Sequence, residues 1–285
     1  MTKRSIRPIK PRVSPSSLYL SSAEAALLAK VAPSSVKRWA DEGLLACSRT
    51  VGGHRRFLRR DVERFIAEHQ AQAADAGQAD AEHWLTLLLK DDSYALQGAL
   101  FSRRSQLGAW HRVADGLGPA LGLLGEKWQR GEVTLFEEHL CSERLHRALA
   151  QVARSEAASP SGPVCLLATP EGEEHTLGLS LAELCLGEAG WSALWAGRGM
   201  PNAQLVRIVS SGRVAMVALS ASQVKGRAPK LLATARAVGK ACKRRQLPLV
   251  VGGQGAWPEG DSVCIRLSSF SRFHELLRER AGATT

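Results

Sequence analysis

No stretch of the 285 residues approaches the ~18 consecutive apolar residues that a membrane-spanning helix requires. The N-terminus, MTKRSIRPIKPR, has no apolar segment behind its charges, so neither secretion nor membrane insertion is expected. The six cysteines, Cys47, Cys141, Cys165, Cys185, Cys242 and Cys264, lie far apart, with no C-x-x-C pair and no histidine at finger spacing. That suggests neither a zinc module nor a disulfide framework, and it fits a reducing cytoplasm in which most of the thiols serve as small buried hydrophobes. With 45% hydrophobic and 23% charged residues, the chain is neither collagen-like nor disordered throughout. What remains is a globular chain long enough for two or three domains.

Its charge is uneven. Residues 1–70 hold 14 Lys and Arg against 6 Asp and Glu, residues 71–160 hold 9 against 12, and residues 161–285 hold 15 against 9, which gives +8, −3 and +6. A polyanionic partner for the N-terminal third is the natural inference. Two composition shifts divide the chain: His69 to Asp80 is rich in Ala, Gln and Gly, and Ala157 to Pro163 in Ala, Ser and Pro. Both read as linkers. The expected domains are a basic disordered tail (1–17), a small N-terminal domain (18–70), a linker (71–80), a helical bundle (81–157) and an α/β domain (163–285).

In the first domain, Leu20, Ala23, Ala26 and Leu27 recur at helical spacing behind Ser21 and Ser22, either of which can cap a helix. A second short helix starts near Pro33, turns Val36, Trp39 and Ala40 inward, presents Ser34, Ser35, Lys37, Arg38 and Asp41 outward, and ends at Gly43. Arg49 to Phe57 (RTVGGHRRF) reads as two extended arms around a Gly-Gly turn. A last helix, Arg60 to His69, follows. Helix, turn, helix and basic hairpin make a winged helix-turn-helix.

The segment SAEAALLAKVAPSSVKRWADEGLLACSRTVGGHRRFLRRDVERFI resembles the DNA-binding domain of MerR-type transcription regulators. The resemblance rests on W-x-x-x-G-L followed by R-T-x-G-G-H-R-R-F. It implies that the helix bearing Ser34, Ser35, Lys37 and Arg38 enters a major groove of double-stranded DNA, while Arg49, His54, Arg55 and Arg56 of the wing reach flanking phosphates.

The middle segment is acidic and rich in Leu and Ala, with apolar residues recurring at three and four, as in Leu85, Leu88 and Leu89; it reads as a four-helix bundle. The C-terminal segment alternates short apolar strands (164–168, 191–195, 214–219, 247–251, 262–265) with helical pattern, which predicts a doubly wound parallel α/β sheet. In such sheets ligands bind beyond the carboxyl ends of the strands.

Three marked loops fall at those ends: Glu173-Glu174-His175-Thr176-Leu177-Gly178, then Ser220-Ala221-Ser222, then Gly252-Gly253. Their spacing resembles the cobalamin-binding module, with its D-x-H-x-x-G, S-x-(L/T/S) and G-G pattern; here Glu173 stands where Asp is commoner. The resemblance implies that His175 is the lower axial ligand to cobalt and that Glu173 holds its other ring nitrogen, fixing the tautomer. Gly178, Ser220, Ser222, Gly252 and Gly253 would leave room for the nucleotide tail.

Trp128, nine residues, then Glu138-His139 resembles the W-x9-E-H motif in the helical cap of light-responsive cobalamin repressors of the CarH and CarA type. It implies that Trp128 covers the upper ligand and that Glu138 accepts hydrogen bonds from ribose hydroxyls. Gln129 departs from light-sensing members, which often have a histidine there, and Gln is a poor cobalt ligand. The whole resemblance implies a non-enzymatic repressor whose oligomerisation and operator binding are controlled by adenosylcobalamin and its photolysis, its partners being DNA and a second copy of itself, as dimer or tetramer. The rival readings are a repressor with a cofactor-independent C-terminal domain controlled by an antirepressor protein, a corrinoid enzyme or methyl carrier, and a haem sensor using His175.

Overall fold

The computed structural model describes residues 18–90, 92–156, 162–223, 226–258 and 263–281. The expected N-terminal tail (1–17) and residues 157–161 of the second expected linker lie outside the described residues. The chain divides into two compact units that part between Gln78 and Ala79.

The first unit begins with strand β1 (Tyr19–Ser21), which leads into helix α1 (Ser22–Ala29) through a capping box: Ser21 Oγ accepts the Glu24 N–H, and the Glu24 carboxylate accepts the Ser21 N–H. Helix α2 (Pro33–Asp41) has Pro33 in its first turn, where no N–H is needed. It ends at Gly43, whose φ of +73° lets the Leu44 N–H turn back onto the Trp39 carbonyl. Strands β2 (Ser48–Arg49) and β3 (Arg55–Leu58) form the expected antiparallel hairpin, and β1 adds to the other edge of β3, giving the order β1-β3-β2. That third strand was not read from the sequence. The core is built from Leu20, Ala26, Val36, Leu45, Phe57, Val62 and Phe65. Trp39 is half-buried against it, its ring centroid 4.9 Å from that of Phe65. On α1 it is Ala25 and Ala26 that are buried, while Leu27 faces solvent.

Helix α3 runs from Arg59 to Leu89, so residues 71–80, expected as a linker, are helical. The apolar stripe stops near His69, yet Ala and Gln are good helix formers and carry the backbone onward without it.

In the second unit, residues 79–89 of α3 join α4 (Ser93–Leu107), α5 (Trp110–Gln129) and α6 (Leu135–Glu156) in a four-helix layer. Trp84, Leu88, Leu100, Leu117, Leu124 and Leu145 are buried within it. A parallel sheet follows, of β4 (Val164–Pro170), β5 (Ser192–Met200), β6 (Met216–Ser220), β7 (Leu249–Gly252) and β8 (Ile265–Arg266), in the order β5-β4-β6-β7-β8. The connecting helices are α7 (Leu177–Glu188), α8 (Asn202–Ser210), α9 (Ala228–Arg244) and the final α10 (Phe270–Ala281). Successive β4 side chains point to opposite faces. Cys165 and Leu167 pack with α7, α10 and the four-helix layer, and Leu166 and Ala168 pack with α8 and α9.

Two carboxylates tie the helical layer to this first face. Glu188, at the end of α7, accepts the Trp110 N–H (3.0 Å), pairs with Arg104 (2.8 Å) and lies 3.2 Å from His111 Nδ1. Asp115 on α5 accepts the backbone N–H groups of Phe270 (2.6 Å) and Ser271 (3.1 Å) at the start of α10. The helical layer is therefore a cap fixed on the sheet by packing and by hydrogen bonds.

Candidate functional site

Strand order reverses between β4 and β6, and in a doubly wound sheet a crevice opens beyond the carboxyl ends of such a pair. The loop after β4 enters it and is pinned at once. Thr169 Oγ donates to the Glu173 carbonyl (2.5 Å), and the Gly199 N–H from the end of β5 donates to Thr169 Oγ (2.9 Å) and to the Glu173 carbonyl (3.1 Å).

This pinning buries the Glu173 side chain completely. Oε1 accepts the His175 N–H (2.9 Å) and faces His175 Nδ1 at 2.6 Å. Oε2 accepts the Ser222 N–H (2.8 Å), the Ser222 hydroxyl (2.8 Å) and the Arg227 guanidinium (2.7 Å). Burial by itself would raise the carboxyl; the hydrogen bonds from His175 and Ser222 outweigh it and hold the pKa at about 2. Glu173 is a permanent anion whose lone pairs are all directed.

His175 inherits its orientation from this carboxylate. An ionised Glu173 can only accept, so Nδ1 carries the proton and, in the neutral ring, Nε2 carries the free lone pair. The ring is 68% exposed, and among the described residues Nε2 makes no hydrogen bond. Its hydrogen bond to Glu173 raises the imidazole pKa, against the partial cover of the ring; the charges of Glu173 and of Glu138, on the cap, push the same way, and Arg227 opposes them. One outward imidazole nitrogen, fixed in tautomer by a buried carboxylate, is the arrangement of a metal-ligating histidine with its supporting acceptor.

The small residues around it differ in role. A Cβ on Gly178 would lie 2.8 Å from Ser220 Oγ, and one on Gly253, at φ +79°, would lie 2.4 Å from the Ala221 carbonyl oxygen. Both therefore serve a close approach of backbone to neighbour. Gly252 alone of the three would meet nothing within 4 Å.

On the cap, Thr134 and Glu137 form a reciprocal hydrogen-bonded start to α6, which puts Glu138 in its first turn, where the helix dipole favours an anion. Glu138 accepts the Ser142 hydroxyl (3.0 Å) and lies 2.8 Å from His139 Nδ1; its side chain is largely covered, whereas that of His139 is exposed. Trp128, at the end of α5, is 43% exposed, and among the described residues its indole makes no hydrogen bond or ring contact. The structure thus brings Glu173, His175 and Ser222 into direct contact, sets Gly178 and Gly253 against Ser220, and leaves Trp128 and His139 open to solvent.

In the first unit, Ser34, Lys37 and Arg38 are exposed on α2, Ser35 is half-buried, and Arg49 and His54 are exposed on the hairpin. Arg55 differs from the expectation of a phosphate contact. Alternation along β3 sends it to the side of the buried Phe57, where its guanidinium donates to Asp41 at the end of α2 and its side chain is only 17% exposed. Arg55 braces the wing against α2. Arg56 is half-buried beside Glu24. Sequence reading also missed Arg227, which lies 54 residues beyond the carboxylate it holds and has no motif to mark it.

The chain matches the helix-turn-helix domain family over residues 19–70 and the B12 binding domain family over residues 104–153. It is 36% identical to the HTH-type transcriptional repressor CarA of Myxococcus xanthus over 137 residues, 48% of this chain and 46% of that protein. It thus spans about half the length of that relative. It is 27% identical to the HTH-type transcriptional repressor CarH of the same organism over 279 residues, covering 86% of this chain and 91% of CarH. Among solved structures, the monomethylamine corrinoid protein of Methanosarcina barkeri shares the fold, with a TM-score of 0.55 at 13% identity over 71% of this chain and 99% of that one. The chain therefore carries a segment similar to the helix-turn-helix domain family followed by one similar to the B12 binding domain family, and it is similar to the transcriptional repressors CarA and CarH.

Proposed function

We propose that this chain is a transcriptional repressor that binds operator DNA through its winged helix and cobalamin through its C-terminal unit. The observation that carries the reading is the Glu173–His175 pair: a fully buried carboxylate 2.6 Å from Nδ1 of an exposed imidazole whose Nε2 is left to ligate. His175 would hold cobalt from below, with Glu173 fixing its tautomer and Ser222 and Arg227 fixing Glu173. Trp128, Glu138 and His139 would face the upper ligand from the cap. Glu138 on the cap is near enough for its charge to help raise the pKa of His175, which supports a site to which cap and sheet both contribute.

The cofactor is adenosylcobalamin in this reading, which supplies a light-cleavable cobalt–carbon bond. The chain's part is to hold the ligand between cap and sheet, so that a homodimer or homotetramer forms in the dark and several winged helices share one operator. Linked weak binders gain effective concentration, which makes operator affinity depend on assembly. Ser34, Ser35, Lys37, Arg38, Arg49, His54 and Arg56 are the proposed DNA contacts. The chain is read as a cytoplasmic regulator and not as an enzyme.

Binding of an operator duplex by the protein loaded with adenosylcobalamin, compared in the dark and after green light, tests this function. Tight dark binding that weakens on illumination is expected; equal affinity with and without cofactor would overturn the cobalamin control. That second outcome would favour a repressor governed by an antirepressor protein on a cofactor-independent C-terminal domain, a reading to which the exposed Gln129 after Trp128 lends weight.

A further inference from the structure

From Arg198 to Pro258 the chain holds eleven Lys and Arg residues and no Asp or Glu. Arg198 approaches Glu174 and Arg227 holds Glu173, while Lys225 lies outside the described residues. The rest are gathered on one layer. Helices α8 and α9 pack together on the face of the sheet opposite to α7, α10 and the cap.

Along α9, Lys230, Arg236, Lys240, Lys243 and Arg244 are all exposed. At 100° per residue these five positions fall within an arc of about 140°, and they span about 21 Å of helix. Arg245 extends the row: a Cβ on Gly212 would lie 2.6 Å from its guanidinium, so it sits at the turn that carries the exposed Arg213. Arg207 adds a further exposed cation on α8. None of these eight side chains forms an ion pair among the described residues.

Neighbouring like charges on a helix face repel and oppose folding. A row of them without counter-charge among the described residues is complementary to an external polyanion. Its chemistry narrows the choice: among the described residues of α8 and α9 no large apolar side chain is exposed, so the face offers nothing to insert into a membrane and no aromatic platform for unpaired bases. A regular array of phosphates suits it, and duplex DNA presents one negative charge per ~1.7 Å of axis.

We propose that the outer face of α8 and α9 binds the phosphate backbone of double-stranded DNA, as a second, sequence-independent contact beside the winged helix. This rests on the reading of the chain as a DNA-binding protein. It makes the C-terminal unit a DNA-contacting element as well as a ligand-binding one.

The test uses the full chain and a mixed-sequence duplex, with affinity followed by fluorescence anisotropy across a salt series. The triple variant Arg236→Gln, Lys240→Gln, Arg244→Gln should lower the slope of log affinity against log salt by about 2 to 3, since each phosphate contact contributes about 0.9. A control with the same charge change elsewhere, Lys90→Gln, Arg130→Gln, Arg154→Gln, should change it by less than about one. Thermal melting of neither variant should fall below that of the unaltered chain, and that of the α9 variant should rise slightly as like-charge repulsion is relieved. An unchanged slope in the α9 variant, with binding abolished by Lys37→Ala and Arg49→Ala, would overturn this inference and leave the winged-helix reading standing. Absence of duplex binding by the unaltered chain would overturn both. Binding to phosphatidylserine vesicles that the α9 variant loses, with its duplex slope unchanged, would assign the face to a membrane surface and overturn the proposal as well.

Discussion

Replacing Glu173 by Gln removes one charge and almost no volume, and its consequences follow from the five donors around that carboxylate. An ordinary carboxyl titrates near 4.5 and this one at about 2. That difference corresponds to about 3 kcal/mol of stability, present above pH 4.5 and lost as pH falls from there toward 2, because the unfolded chain takes up the proton first. At neutral pH the amide can still accept through its oxygen. Its NH2 group must nevertheless face either the His175 side or the Ser222 and Arg227 side, and both sides offer donors. Breaking a buried pair from one end costs about 3–5 kcal/mol; the 22% exposure of Arg227 lets water soften this, so a loss of about 2–4 kcal/mol is expected. Urea unfolding at pH 7 measures it directly. Cobalamin affinity should fall by about 10–100-fold in the same variant, the usual effect of losing the partner that orients a metal-ligating histidine. A Glu173→Gln chain within about 0.5 kcal/mol of the unaltered one, the range of an ordinary surface substitution, would refute the reasoning.

Arg55→Ala should weaken duplex binding without reducing its salt slope, since the side chain is engaged with Asp41, and Asp41→Asn should behave alike; Arg49→Ala should reduce the slope by about one. Trp128→Ala should retain cobalamin through gel filtration yet fail to assemble when loaded, and cofactor-driven assembly of that variant would count against the cap assignment. His274 is held below the ordinary 6.5 by burial and by the neighbouring His111, with Arg278 adding and Glu188 and Glu275 opposing. Folding therefore disfavours its protonated form, and the stability it confers is present above pH 6.5 and lost as pH falls below that value. His175, with its raised pKa, works in the opposite sense. The acid-side decline should accordingly become shallower in His274→Asn, as read from thermal melts between neutral and mildly acidic pH.

Local chemistry made much of this molecule legible. The W-x-x-x-G-L and R-T-x-G-G-H-R-R-F segments located the second helix and the hairpin, because Gly43 and the turn between Thr50 and His54 have conformational requirements that few residues meet. Strands β4, β6 and β7 appeared as apolar runs because strands covered on both faces of a parallel sheet need them, whereas β8, Ile265–Arg266, is exposed and shares only Ile265 with the expected run 262–265. What escaped was decided by contacts distant in sequence. Strand β1 has three residues and exists because β3 offers it an edge. The sidedness of Arg55 depends on the register of β3 against a core that only the fold defines. Arg227 meets Glu173 because β4 and β6 are neighbours in the sheet, and the cations of α8 and α9 gather on one layer only when the two helices pack together. The Glu173–His175 pair was legible through the resemblance to the cobalamin-binding module, whose loop carries a carboxylate two residues before its histidine.

The central claim is that His175 holds a cobalamin, and an absorption spectrum tests it most directly. Purified chain mixed with adenosylcobalamin in the dark and desalted should keep a corrin spectrum that changes under green light, whereas His175→Ala treated identically should lose the corrin or show it without an imidazole ligand. A chain that emerges from desalting with no corrin, or a His175→Ala spectrum indistinguishable from that of the unaltered protein, would contradict the account.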